Sequence, residues 1–259
     1  MLGDLENGIS VDLVGGETQV LPTHINFQIS IYMKAQKIIV ALDYTNPLDA
    51  LEMAAKLRGH VDGFKTNHTL WSQSVYIKDY TEGHELFVDC KLWDTPNTVK
   101  QVLQKIVDKG ATMTTISTFN NNSVFEEVKE FADKIKLLGV SYLTSWNAKE
   151  QFDLYNDLPE HMWRKSIERI KNVGFSGLIC SPHDIPTINL YDRSLLRVCP
   201  GIKYNQELKG QSRTVTPKLA QQLGADYLII GRSITHSKDP IKTISDIRNS
   251  LNIVNTQTS

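Results

Sequence analysis

Residues 87–98 read FVDCKLWDTPNT. An apolar opening, Phe87-Val88, runs into Asp89, Lys91 and Asp94, and Thr95-Pro96 follows. Side chains on a strand alternate between faces, so Asp89 and Lys91 are expected on the same side. Thr95 before Pro96 fits a helix N-cap followed by the favoured first helical residue. Asp94 then falls at the strand–helix junction, just past the strand's carboxyl end. Two acids bracketing a lysine are costly as pure structure. They are natural where a site must hold a lysine charged.

Outward from this stretch the chain is punctuated regularly. Apolar or β-branched runs at 37–43, 61–66, 85–92, 112–117, 138–144, 177–181, 195–199 and 226–230 read as strands. Helical patterns are expected at 47–58, 70–78, 96–109, 123–135, 160–173, 185–191, 217–223 and 240–251. In the first of these, Leu48, Leu51, Ala54, Ala55 and Leu57 form the apolar side. Gly110, Gly174 and Gly224 stand where helix-ending glycines belong. Eight strand–helix alternations imply a parallel sheet, and at 259 residues they imply closure into a (β/α)8 TIM barrel. The barrel is expected to be one catalytic domain over 33–259.

Residues 1–32 precede Met33, which resembles an ordinary translation start, so they are expected to be either a stretch upstream of the native start or a genuine N-terminal extension. Ile25, Phe27, Ile29 and Ile31 alternate with polar residues, a pattern that allows a short added strand as the alternative to partial disorder, and poor packing is expected over the first twenty. Asp4, Glu6 and Asp12 interrupt this segment, unlike a signal peptide.

Lys and Arg total 28 against 29 Asp and Glu, a net charge of -1, so no large basic field is expected and a nucleic-acid role has no electrostatic support. No apolar run approaches the ~18 residues of a membrane span. Cys90, Cys180 and Cys199 lack CxxC spacing and lie in or beside apolar runs. They read as buried thiols in a reducing cytoplasm.

In a barrel of this kind, chemistry sits at the carboxyl ends of the strands. The polar residues there are Asp43, Lys65, Asp89, Lys91, Asp94, Ser117, Thr144 and Arg232. Alternating acid and base relieves the cost of burying charge and keeps both lysines protonated. After the last strand, Gly231-Arg232-Ser233 offers a glycine for close approach, helix-start N–H groups and a guanidinium fork, all suited to phosphate. The loop from Pro200 to Arg213 is polar and long enough to close over a ligand, and Gln211 within it can reach both base and phosphate. Asp89 and Asp94 would suit Mg²⁺, but Lys91 between them repels it, and no histidine pair has zinc-ligand spacing. His183 and His236 read as surface residues. Trp71, Trp93 and Trp146 lie near strand ends, where they would either wall a cavity or pack in the core or rim, the packing role being expected for at least one.

Together these residues resemble the orotidine 5′-monophosphate decarboxylases from about Lys37 to Pro240. The resemblance rests on DxKxxD-x-P-x-T at Asp89 to Thr98, Pro200-Gly201-Ile202, Gln211 to Pro217, and Gly231-Arg232-Ser233-Ile234. It implies cofactor-free, metal-free conversion of orotidine 5′-monophosphate to UMP and CO2 in a cytoplasmic homodimer. Lys65, Asp89 and Lys91 would be one protomer's charged array, and Asp94 would enter the partner's site. Thr98 would reach the partner's ribose and Asp43 the protomer's own. Thr95 would lie near the leaving carboxylate and Thr144 at the pyrimidine edge. Pro200 would line the base pocket, and Gln211, Gly231 and Arg232 would grip the phosphate. Departures from the family pattern are Ser117 for a histidine, Lys203 for an arginine, Thr95 for an apolar residue, and Trp93 for a smaller residue or histidine. The competing readings are a Mg²⁺-dependent sugar-phosphate lyase or decarboxylase of the same barrel group, and a catalytically impaired nucleotide-binding barrel.

Overall fold

The computed structural model describes residues 35–73, 83–204 and 215–252. The barrel belongs to the unit Lys34–Ser259. The expectations for residues 1–32 lie outside the described residues.

Eight parallel strands close in sequence order: β1 Lys37–Ala41, β2 Gly63–Asn67, β3 Glu85–Leu92, β4 Met113–Ser117, β5 Lys136–Val140, β6 Gly177–Ile179, β7 Leu196–Cys199 and β8 Tyr227–Ile230. Closure is made by β8 pairing with β1, with Ile39 opposite Ile229. The outer helices are α1 Pro47–Leu57, α2 His68–Gln73, α3 Pro96–Asp108, α4 Asn122–Val128, α5 Ala148–Tyr155, α6 Pro159–Ile170, α7 Ile185–Tyr191, α8 Pro217–Leu223, α9 Arg232–Thr235 and α10 Pro240–Asn252.

Period-two alternation along each strand divides the apolar residues between two cores. Ile39, Phe87, Leu138, Val198, Tyr227 and Ile229 fill the barrel interior. Ile38, Val40, Val88, Leu228 and Ile230 point outward into the helix layer. Each such side chain, fully withdrawn from water, contributes roughly 1.5–3 kcal/mol. Gly63 leaves room for β3: a Cβ there would stand 2.4 Å from the Glu85 carbonyl oxygen and 2.8 Å from Ile39 Cδ1. Gly224 ends α8 at φ 97°, a left-handed value open to glycine without strain, and its N–H donates to Ala220 and Gln221 carbonyls.

The amino-terminal end of the barrel is stoppered by an ionic cluster. Glu85 accepts from Lys37 Nζ at 2.9 Å, from Lys136 Nζ at 3.1 Å and from the Tyr227 hydroxyl at 3.3 Å. Burial pushes the Glu85 carboxyl up, but the Thr112 hydroxyl and the two ammonium groups outweigh it. The net result is a fall to about 2.

Three expectations need correction. On α1 the buried residues are Ala50, Ala54 and Leu57, while Leu48 is 70% and Leu51 36% exposed. The inward stripe is therefore rotated toward alanines, because small side chains let α1 lie close to the barrel. The fifth strand ends at Val140, not 144, so Thr144 stands on the following loop. A helix not expected from the periodicity, α5, is started by a capping box between Asn147 and Glu150.

Candidate active site

The charged residues at the strand carboxyl ends converge on Asp89. Register places Ala41 opposite Lys65, and Asn67 opposite Asp89. Lys65, whose side chain is only 10% exposed, bridges two acids: Nζ lies 3.1 Å from Asp43 Oδ1 and 3.7 Å from Asp89 Oδ2. Lys91 Nζ lies 2.8 Å from Asp89 Oδ1. Asp89 is thus held between two ammonium groups. Desolvation raises its carboxyl, but Lys65, Lys91 and the Thr115 hydroxyl more than compensate, so it sits below the usual carboxylate range.

Lys91 reaches Asp89 by an unexpected route. It takes φ 47°, a left-handed value rare for a residue with a side chain. The β3–β4 register breaks here: Val88 faces Thr114, yet Leu92 faces Ile116. The extra length bulges β3, as strands beside active sites often do. Thr115 stabilises the bulge, accepting from Lys91 N–H at 2.8 Å and donating to Asp89 Oδ1 at 2.9 Å. The spacing rule correctly paired Asp89 with Lys91, but not through simple alternation.

Two joined cavities open above this array. One, of about 240 Å³, has apolar walls of Phe87, Val140, Ile179, Pro200 and Ile229, with Thr144, Ser145 and Tyr142 on one side. Lys65, Asp89 and Lys91 complete it. The other, of about 260 Å³, runs from Asp43, Lys65 and Asp89 past Pro200 to Gly201, Lys203, Gly231, Arg232 and Ser233. Gly231 precedes the first turn of α9, so backbone donors and two cations meet in this corner, an arrangement suited to an anion. The stems of the loop after β7 are clasped beside it. Ile202 bridges Val215, Lys203 N–H donates to the Val215 carbonyl at 3.0 Å, and Tyr204 N–H donates to Ser233 Oγ at 3.1 Å.

Lys65, Asp89, Lys91, Asp43, Thr144, Pro200, Gly231 and Arg232 are brought together at the barrel mouth. Asp94, Thr95 and Thr98 line neither cavity. They cluster at the start of α3, where Thr95 N–H donates to Asp94 Oδ1 at 2.6 Å and the Thr95 and Thr98 hydroxyls are 3.0 Å apart. Thr95 is the N-cap position, but its side chain makes no cap bond. Gln211 lies outside the described residues. The tryptophans are not cavity walls: Trp93 is 73% exposed, Trp71 packs under Lys109 and Trp146 against Tyr155. Ser117 accepts from Phe119 N–H. Sequence reasoning missed Thr115, Tyr142 and Ser145. Thr115 was within reach, since it lies between Met113 and Ser117 on the inward parity of β4. Among the described residues, no three His, Cys, Asp or Glu side chains gather as a metal-ligand set.

A closed (β/α)8 barrel carrying a lysine–aspartate array beside a corner suited to an anion has the layout of the barrel enzymes that act on phosphorylated substrates. The model of the orotidine 5′-phosphate decarboxylase / HUMPS family matches residues 36–247, and the chain belongs to that family. It is 34% identical over 235 residues to the orotidine 5′-phosphate decarboxylase of Dictyoglomus turgidum, covering 84% of this chain and 96% of that one. It is 29% identical over 231 residues to the namesake from Wigglesworthia glossinidia brevipalpis, covering 85% and 99%. Among solved structures, the orotidine 5′-phosphate decarboxylase of Lactobacillus acidophilus superposes with a TM-score of 0.72 at 26% identity, over 85% of this chain and all of that one. The family resemblance and barrel expected from the motifs are therefore borne out.

Proposed function

We propose that this chain decarboxylates orotidine 5′-phosphate to UMP in pyrimidine biosynthesis. The observation that carries the reading is the Lys65–Asp89–Lys91 array set between an apolar, base-sized cavity and an anion corner. Family membership and the names of the relatives support it.

Loss of CO2 from ring carbon six leaves an electron pair that cannot spread into the ring carbonyls. Lys91 stabilises that charge and then donates its proton to the carbon, joining fixed electrostatics to general-acid catalysis. Asp89 stands beside the substrate carboxylate and disfavours it relative to the transition state. Lys65 holds Asp89 charged and oriented. Thr144 and Pro200 contact the pyrimidine, Asp43 the ribose, and Gly231, Arg232 and Gln211 the phosphate. Phosphate binding, remote from the reacting carbon, supplies energy for assembling the site.

Asp94, Thr95 and Thr98 sit together off the protomer's own cavities. That placement supports a homodimer with a composite site, in which Asp94 and Thr98 complete the partner's array and Thr95 borders the carboxylate pocket. The catalytic domain runs from 33 to 259, residues 1–32 are an extension, and the enzyme works in the cytoplasm without cofactor or metal. No helix among the described residues is long and apolar enough to cross a membrane.

The test is loss of orotidine 5′-phosphate absorbance with EDTA present, on the full-length chain and on a form starting at Met33. Undiminished turnover of both supports the reading. Turnover that vanishes on chelation and returns with Mg²⁺ supports a magnesium-dependent relative instead, and tight UMP binding without turnover an impaired barrel.

A further inference from the structure

We infer that Thr115 is a positioning residue for the reaction, its hydroxyl fixing the bulge that turns Lys91 back onto Asp89. The inference rests on the reading above for its kinetics, but not for its geometry.

The donor and acceptor roles are forced. Lys91 N–H donates to Thr115 Oγ1, so the hydroxyl's own hydrogen is left to point elsewhere. Asp89, kept ionised between two ammonium groups, offers only acceptors, and Thr115 donates to its Oδ1. Lys91 Nζ donates to that same oxygen. Backbone amide, hydroxyl, carboxylate and ammonium therefore close a ring that begins and ends on Lys91. Its backbone conformation and its ammonium position are set together.

The ring also accounts for a strained residue. A left-handed lysine persists only where surrounding contacts over-determine it. Thr115 is fully buried. Water is therefore a poor replacement for its hydroxyl, and removing that group leaves the Lys91 N–H without its acceptor. Thr115 touches neither cavity, so its influence passes through Asp89 and Lys91.

The experiment compares Thr115→Val, Thr115→Ser and Thr115→Cys with the parent chain. Valine keeps the shape and deletes the hydroxyl, serine keeps the hydroxyl, and cysteine keeps a small side chain with weak hydrogen bonding. The expected result is a fall in kcat of about 10–100-fold for valine and cysteine, with UMP affinity within about twofold of the parent and serine restored to within about threefold. Crystal structures of the valine or cysteine variant should show Lys91 out of the left-handed region and its ammonium displaced from Asp89. Equal losses in kcat and UMP affinity, or serine as poor as valine, would reduce Thr115 to packing and overturn the inference. So would a hydroxyl-free variant that retains the Lys91 geometry. A parent enzyme inert toward orotidine 5′-phosphate defeats the proposed activity, while the crystal structures still decide the positioning.

Discussion

Lys91 places its ammonium 2.8 Å from Asp89, two residues earlier on the same strand, by adopting a backbone angle that lysine seldom takes. A lysine so placed should be indispensable to the proposed chemistry. Lys91→Ala removes both the proton donor and the charge facing the carbanion. These contribute on the order of 10²–10⁴ and 10²–10³ in rate respectively. The kcat for orotidine 5′-phosphate should fall by at least about 10⁴-fold, with UMP affinity nearly kept, as measured by absorbance assay and calorimetry. Near-parental turnover by this variant would end the mechanism.

Mixing Lys91→Ala and Asp94→Asn chains tests the shared site. Each homodimer should be nearly inactive. In a heterodimer one site carries both lesions and the other neither, so random mixing should recover about a quarter of the parental activity if subunits redistribute freely and sites act independently. No recovery, with heterodimers confirmed by mass, would count against a composite site.

Glu85 gives a pH signature for the fold. Its folded value of about 2 lies below the reference 4.5. The stability it contributes is therefore complete above about pH 4.5 and is lost as pH falls toward 2. A shift of that size corresponds to on the order of 3 kcal/mol. Glu85→Gln should lower the urea midpoint at pH 7, and the gap from the parent should shrink on acidification below 4.5. A gap independent of pH would assign the cluster no electrostatic role.

Gly63→Ala should destabilise the barrel where β2 meets β3. The added methyl meets a backbone oxygen, which cannot rotate away as a side chain would. Overpacking of this kind costs about 1–3 kcal/mol. Thermal unfolding should shift down by several degrees, and kcat should also fall, because Lys65 lies two residues along the same strand. An unchanged melting temperature would show that β3 can retreat from Gly63.

Much of the architecture was legible because βα punctuation is local. Gly110 and Gly224 take positive φ at helix ends, where the sequence placed them, whereas Gly174 takes it in the turn beyond α6, which stops at Ile170 rather than 173. Asp43, Lys65, Asp89 and Arg232 were legible as strand-end residues for the same reason. The Lys91 bulge was not, because the inward face of Thr115 is readable along β4 but the broken register that pairs it with Lys91 arises between two strands. The face of α1 was misread because leucines outweigh alanines in any hydrophobic pattern, whereas close packing against a barrel favours the alanines. The capping box at Asn147 and Glu150 was readable, but the short helix it starts buries only Gln151 and has no strong apolar stripe.

Glu85 and Asp89 occupy inward positions of β3, on opposite sides of Phe87. A slip of that strand by one residue would turn both carboxylates toward the helix layer together. Misassembled chains would thus lose their stopper and the carboxylate at the centre of the lysine array in one error, so a single register secures both ends of the barrel.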